Sequence, residues 1–212
     1  STQAKTLFPY TTLFRSNFTF DDDCKIVLSK LNSGDKAFTS KVMRVNVDMA
    51  DVKSQLLYNR STNQLQLRIL SLEEAKYKRS TMTEIRYYFS LIAYFDPETL
   101  DIKGIKPLAG KKIAEYAQTH IDKEYVYTGT PKKMTINSNG TTAILMEENS
   151  SGMGHADLGA IGVSVLSDTG AEINGYAIKK AQVMYSNIDN DRFMSYDYIS
   201  VPTGNYVLFK DL

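Results

Sequence analysis

Four times along the chain a turn hands over to a run with the pattern of a β-strand: DDCKIVLSKL from Asp22, TNQLQLRILSL from Thr62, NGTTAILMEEN from Asn139 and TGNYVLFKDL from Thr203. Two of these units continue alike, through a polar hairpin loop and an apolar strand into FDPETLDIKGI from Phe95 or LSDTGAEINGY from Leu166. There Asp101-Ile102-Lys103-Gly104 and Glu172-Ile173-Asn174-Gly175 set an acid, an isoleucine, a polar residue and a glycine in register. Such recurrence restricts a fold strongly, because each unit buries its faces only against its neighbours. The first two units, from Asp22 and Thr62, are spaced like one four-stranded propeller blade of about 40–45 residues. The wider spacings to Asn139 and Thr203 leave room for inserted loops or a helix. The expected fold is all-β: an antiparallel, partial β-propeller of about three blades with one inserted short helix. The alternative is a β-sandwich or stacked-sheet domain.

Local patterns agree with strands. Leu65, Leu67 and Ile69 alternate with Gln66 and Arg68, and Ile161, Val163 and Val165 alternate with Gly162 and Ser164, so each run offers one apolar face. Tyr87 to Phe95 (YYFSLIAYF) is apolar on both faces, as an inner strand covered on each side should be. Turns are expected at Ser33-Gly34, Asp96-Pro97, Asn139-Gly140, Asp168-Thr169-Gly170, Asn174-Gly175 and Thr203-Gly204. Only Gly110 to Ile121 has helical periodicity, with Ile113, Tyr116, Ala117 and His120 on one face.

Residues Thr6 to Ser16, TLFPYTTLFRS, resemble a translated sequencing-library adapter. The division expected is therefore a non-native adapter-derived segment over 1–16 and a partial β-propeller-like domain over 17–212, with the native start and any signal peptide missing. The chain holds 25 Lys and Arg against 24 Asp and Glu, and setting aside Lys5 and Arg15 tips the balance slightly acidic. No basic stripe with interleaved aromatics is present, which argues against nucleic acid as a partner. No apolar run approaches the ~18 residues of a transmembrane helix. Cys24 is the only cysteine, so neither a disulfide framework nor a cysteine zinc site can form. Beside Ile26-Val27-Leu28 it is expected to be a small buried or half-buried hydrophobe rather than an activated thiolate.

The order N-x-N-G-T-x-x-I-x-x-E at Asn137 to Glu147, an apolar strand at Ile161 to Leu166, D-T-G at Asp168 to Gly170, I-K-K-A-Q at Ile178 to Gln182 and N-Y-V-L-F-K-D at Asn205 to Asp211 resembles uncharacterised, exported bacterial propeller-like proteins. The resemblance covers mainly residues 130 to 212. It implies export (periplasmic, cell-surface or extracellular) and no particular reaction.

The densest polar cluster is the segment from Glu147 to Asp157, read as a hairpin loop, in which Glu147, His155 and Asp157 are the candidate binding residues. Solvation of a flexible loop explains the same composition. Asn187 to Asp191 starts like a calcium loop but lacks the glycine at the sixth position and the acid at the twelfth, where Tyr198 stands. Asp21-Asp22-Asp23 suits a solvated strand entry. No Gly-x-Ser-x-Gly elbow occurs, and His120 is expected to pack on the helix rather than bind a ligand. No catalytic residue, metal ligand or cofactor is assigned. The expected function is a non-enzymatic, exported propeller-type binding or scaffold protein for a protein or glycan, whose hairpins at 73 to 84 and 147 to 158 reach the partner. The alternative is a carbohydrate-active propeller enzyme whose acids, from several blades, converge on a channel.

Overall fold

In a computed structural model the described residues are 24–31, 37–45, 53–78, 83–152, 155–180, 182–184 and 196–209. Residues 1–16, the Asp21–Asp23 run, the Ser33-Gly34 turn and the Asn187–Asp191 stretch lie outside them.

The fold is all-β with antiparallel sheets and, among the described residues, one helix. Strands β1 (Cys24–Lys30) and β2 (Thr39–Val45) form a two-stranded sheet. Strands β3 (Lys53–Asn59), β4 (Gln64–Lys78), β5 (Thr83–Phe95) and β6 (Ile102–Pro107) follow one another across a four-stranded sheet. After helix α1 (Lys111–His120), strands β7 (Thr130–Ile136), β8 (Thr142–Gly152), β9 (His155–Leu166) and β10 (Glu172–Ile178) make a second meander. Strand β11 (Gln182–Met184) joins it as a fifth strand against the far end of β9. Strands β12 (Tyr196–Val201) and β13 (Gly204–Phe209) close the series as another two-stranded sheet.

Strand alternation makes each central strand a two-sided wall, and this stacks the sheets. One face of the β3–β6 sheet, with Leu65, Leu67, Ile69, Leu91, Ala93 and Phe95, meets Ile26, Leu28 and Met43 of β1–β2. Its other face, with Ile92 and Tyr94, packs with Ile113 and Ala117 of α1 and with Met134, Ile144, Met146 and Leu166 of the β7–β10 sheet. The far side of that second sheet, with Ala143, Leu145, Ile161, Val163 and Val165, is covered by Tyr196, Tyr198, Val207 and Phe209 of β12–β13. Four sheets therefore lie in chain order, face on face, and none closes on itself. The two-sided apolar character of Tyr87 to Phe95 is accounted for: its last five residues are buried, alternating between two cores.

The two larger sheets run in the same register. Leu65 opposes Phe95 and Leu67 opposes Ala93 in one; Thr142 opposes Leu166 and Ile144 opposes Ser164 in the other. Each outer strand carries a bulge shortly after the turn, opposite Tyr94/Phe95 and between Glu172 and Asn174. Where the sheets meet on the side of β3 and β7, side chains of the first bind the backbone of the second. Gln55 both donates to the Met134 carbonyl at 2.8 Å and accepts from its N–H at 2.6 Å. Asn59 donates to the Gly140 carbonyl, buried Arg68 to those of Pro131 and Lys132, and Thr142 Oγ1 to Gln66 Oε1. On the opposite side α1 lies against β10 so closely that a Cβ at Gly175 would run into the backbone of Lys112 and Ile113.

Two expectations are corrected here. Asn174-Gly175 is not a turn but part of β10, because the glycine is required by the helix rather than by chain reversal. His120, placed by periodicity on the apolar helix face, is exposed; it stacks on the Tyr116 ring at 4.0 Å, one helical turn back.

Candidate functional site

The central rungs of β4–β5 and β8–β9 belong to the stacked sheets; the first hairpin then continues past the ends of β3 and β6, and the second past β7 and β10, where β11 pairs with β9 instead. In the first, pairing extends from Leu72↔Tyr88 to Lys78↔Thr83, past the ends of β3 and β6; in the second it runs from Asn149↔Leu158 to Gly152↔His155. A bulge marks each exit, between Leu72 and Glu74 and between Glu147 and Asn149. An extra residue on one strand increases twist and redirects the ladder. The segment from Glu147 to Asp157, expected as a loop, is thus strand on both sides of its reversal.

At the second exit sits the densest polar cluster among the described residues. Glu147 opposes Ile161 in the last regular rung, with its side chain inside the protein. Lys180, just after β10, donates to Glu147 Oε1 at 2.7 Å, and both side chains are fully buried. The next residue, Glu148, is the bulged one and has different partners. It accepts from the Tyr125 hydroxyl at 2.6 Å and from the N–H groups of Thr128 and Ala160 at 3.1 and 3.0 Å. Tyr196 of β12 donates to the Met146 carbonyl at 3.0 Å. Tyr127 lies against Gly129 and Gly162, where any Cβ would strike its ring, and its buried hydroxyl has no hydrogen-bond partner.

His155 and Asp157 fall elsewhere. They lie in the projecting part of β9, paired with Gly152 and Ser150, and Asp157 also opposes Val183 of β11. The Ser150 rung lies three residue steps along β8 from Glu147, roughly 10 Å at ~3.3 Å per residue. The structure therefore puts Glu147 in the stack and the other two farther along β8–β9, with Lys180, Tyr127 and Tyr196 near Glu147 and Tyr125 bound to the neighbouring Glu148. Sequence reasoning had no signal for these partners: Lys180 comes from the crossover between β10 and β11, and the tyrosines from the segment before β7 and from β12. The remaining acids are spread out. Asp96 pairs with Lys103, Glu98 with Lys30 and Asp101 with Lys41, while Glu172 accepts from Ser164 Oγ and the Lys112 N–H. Among the described residues, no group of three His, Cys, Asp or Glu side chains is placed to hold a metal ion.

Burial dominates the electrostatics. It pushes the Tyr127 hydroxyl well above its ordinary range, helped by Tyr196, Glu148, Tyr125 and Glu147 nearby. Tyr196 rises through burial and then Glu147, Tyr125 through burial and then its bond to Glu148, and Tyr94 through burial and then Asp168. In each case the folded hydroxyl ionises later than the unfolded one, which titrates near ~10. The stabilisation is present in full below about pH 10 and is lost as pH rises beyond it. Arg68 has the opposite sign, since burial lowers its guanidinium to about 10 and so favours folding as pH climbs past that value. Four tyrosines outweigh it. On alkaline titration, tyrosinate absorbance from these residues is expected only together with loss of the β-type circular dichroism. Full ionisation of all tyrosines with the dichroism intact would contradict their burial.

The acids at this exit are engaged in holding strands together, with Lys180, Tyr125 and two backbone N–H groups as partners. That arrangement fixes the direction of the projecting hairpin. Among the described residues no helix is long and apolar enough to cross a membrane. No family model, no curated protein and no solved structure matches the chain.

Proposed function

We propose that the chain is part of an exported, propeller-type binding or scaffold protein that uses the projecting β4–β5 and β8–β9 hairpins to hold a protein or glycan. The observation that carries this reading is that both hairpins pass a bulge and extend as paired ladders on equivalent strands, the first past β3 and β6 and the second past β7 and β10 with β11 alongside β9. Rigid, paired projections suit recognition, because little ordering entropy remains to be lost on binding.

Three features support the propeller. The sheets stack in chain order, the two full meanders share one register as blades of a repeat would, and β3 and β7 meet through direct side-chain bonds while α1 occupies the space beside β10. Sheets that touch along one edge and are wedged apart at the other have the relation of neighbouring blades. Export is what the resemblance over mainly residues 130 to 212 implies, and it is tested by fractionating cells that make the native protein. Among the described residues the acids are scattered and ion-paired, which favours binding over hydrolysis of a sugar, a reaction that needs two carboxylates facing each other across the substrate.

A variant in which residues 74–86 are replaced by Asn-Gly is expected to melt cooperatively, like the parent, but to lose affinity in a panel of immobilised polysaccharides and candidate surface proteins. Neither protein should release reducing sugar from any polysaccharide. Reducing-end release by the parent would overturn the non-enzymatic reading, and undiminished binding by the shortened variant would remove the hairpin from it.

A further inference from the structure

Asn-Gly is the dipeptide most open to spontaneous deamidation, because a glycine leaves its own nitrogen free to reach the side-chain amide carbon of the asparagine before it. The chain carries this pair at Asn139-Gly140 and at Asn174-Gly175, and the fold treats the two differently. At the first, the Gly140 N–H donates to the Asn137 carbonyl at 2.9 Å, while Asn139 Oδ1 accepts from the N–H and the hydroxyl of Thr141 at 3.1 and 2.7 Å. Nucleophile and amide are engaged with different partners. At the second they are engaged with each other, since the Gly175 N–H donates to Asn174 Oδ1 at 2.9 Å. A C=O bond of ~1.23 Å joins Oδ1 to Cγ, so the nitrogen stands no more than about 4 Å from the carbon. Asn174 is exposed, follows the bulge of β10, and donates from Nδ2 to the Tyr176 hydroxyl at 2.6 Å. The Tyr176 ring is itself held edge-on to Tyr116 of α1, with centroids 5.7 Å apart.

We infer that Asn174 is a site of spontaneous deamidation in the folded protein, with the Tyr176 hydroxyl assisting the departure of ammonia. The Gly175 nitrogen loses its proton to hydroxide from solvent and bonds to Cγ, whose carbonyl electrons move onto Oδ1. Their return breaks the Cγ–Nδ2 bond, and Nδ2 leaves as ammonia with a proton from Tyr176 that water then replaces. Water opens the resulting succinimide at Cγ, giving aspartate, or at the main-chain carbonyl, giving isoaspartate. The net change is amide plus water to acid plus ammonia, with no oxidation or reduction. The fold keeps this reactive pair in place, because a Cβ at residue 175 would run into the backbone of Lys112 and Ile113 and so bars a bulkier, protective neighbour. Isoaspartate inserts one main-chain carbon at that same contact and should loosen α1 from β10, whereas aspartate adds only charge.

Incubation of the 212-residue chain in mildly alkaline buffer, followed by peptide mapping for the mass gain of amide-to-acid conversion, tests this. Asn174 is expected to convert about tenfold faster than Asn139, the gain from holding the reacting groups in contact. In urea the preference should vanish, since both sites are then Asn-Gly in an open chain. Tyr176→Phe keeps the ring beside Tyr116 and should slow conversion of Asn174 by about tenfold without changing that of Asn139. A melting curve like the parent's establishes that this variant is folded. Hydrogen exchange in α1 should be faster in the isoaspartyl product than in Asn174→Asp. No conversion at Asn174, or conversion no faster than at Asn139, overturns the inference. So does a preference for Asn174 that persists in urea, which would belong to the neighbouring sequence and not to the fold. An unchanged Asn174 rate in folded Tyr176→Phe overturns the part assigned to the hydroxyl.

Discussion

Lys180→Met is expected to destabilise the protein by about 3–5 kcal/mol, the usual cost of removing one member of a buried ion pair. Glu147 and Lys180 are both fully buried and 2.7 Å apart, so water cannot take the place of the lost ammonium. Methionine keeps the length and the aliphatic stem, which confines the change to charge. Adding Glu147→Leu should recover most of the loss, because a buried ion pair exchanged for well-packed apolar side chains is often neutral or stabilising by ~1–4 kcal/mol. Urea unfolding of the two single variants and the double variant measures this. A single-variant loss below about 1 kcal/mol would be that of a solvated surface pair and would contradict the buried geometry. Since Lys180 stands where the chain leaves β10 for β11, the single variant should also lose amide protection along β11 and the projecting part of β9.

Phe95→Ala is expected to cost about 3–5 kcal/mol through the cavity it leaves. The side chain is 1% exposed and packs in the core between β1–β2 and the β3–β6 sheet, opposite Leu65. Ile102, across the same ladder, is 46% exposed, and Ile102→Ala should change stability by no more than about 0.5 kcal/mol. Because Phe95 serves only one of the three cores, hydrogen exchange in Phe95→Ala should rise first in β1–β2, while β12–β13 keeps its protection. Uniform loss across all four sheets would mean that the stack unfolds as a single cooperative unit.

Much of the stacking was legible in the sequence, because a period-2 pattern states which residues share a face. Leu65, Leu67 and Ile69 lie together in one core, and the recurring turn-then-strand units fall on β4, β8 and β13, with the first on β1. The shared Asp101–Gly104 and Glu172–Gly175 segments begin the outer strands β6 and β10. What misled were residues whose role is set across the fold. Gly175 has the composition of a turn but answers to α1, and Glu147 has the composition of a loop acid but answers to Lys180, 33 residues away. His120 shows the limit of helical periodicity, which gives an angle around the helix but not how far the neighbouring sheet extends to cover it. The same limit applied to the candidate site. Glu147, His155 and Asp157 are close in sequence, yet a strand separates what a loop would gather, and Tyr196 near Glu147 arrives from another layer, β12.

The bonds from Gln55, Asn59, Gln66 and Arg68 to the β7–β8 region have a consequence for how such a protein can diversify. Sheets with similar registers and greasy faces would, on burial alone, pair indiscriminately. Four polar side chains from one sheet that find their partners on only one neighbour act as an address, so exchanging or duplicating a layer would strand buried donors and acceptors. The middle interface is therefore the one least open to exchange, because both of its sheets would leave buried polar groups behind.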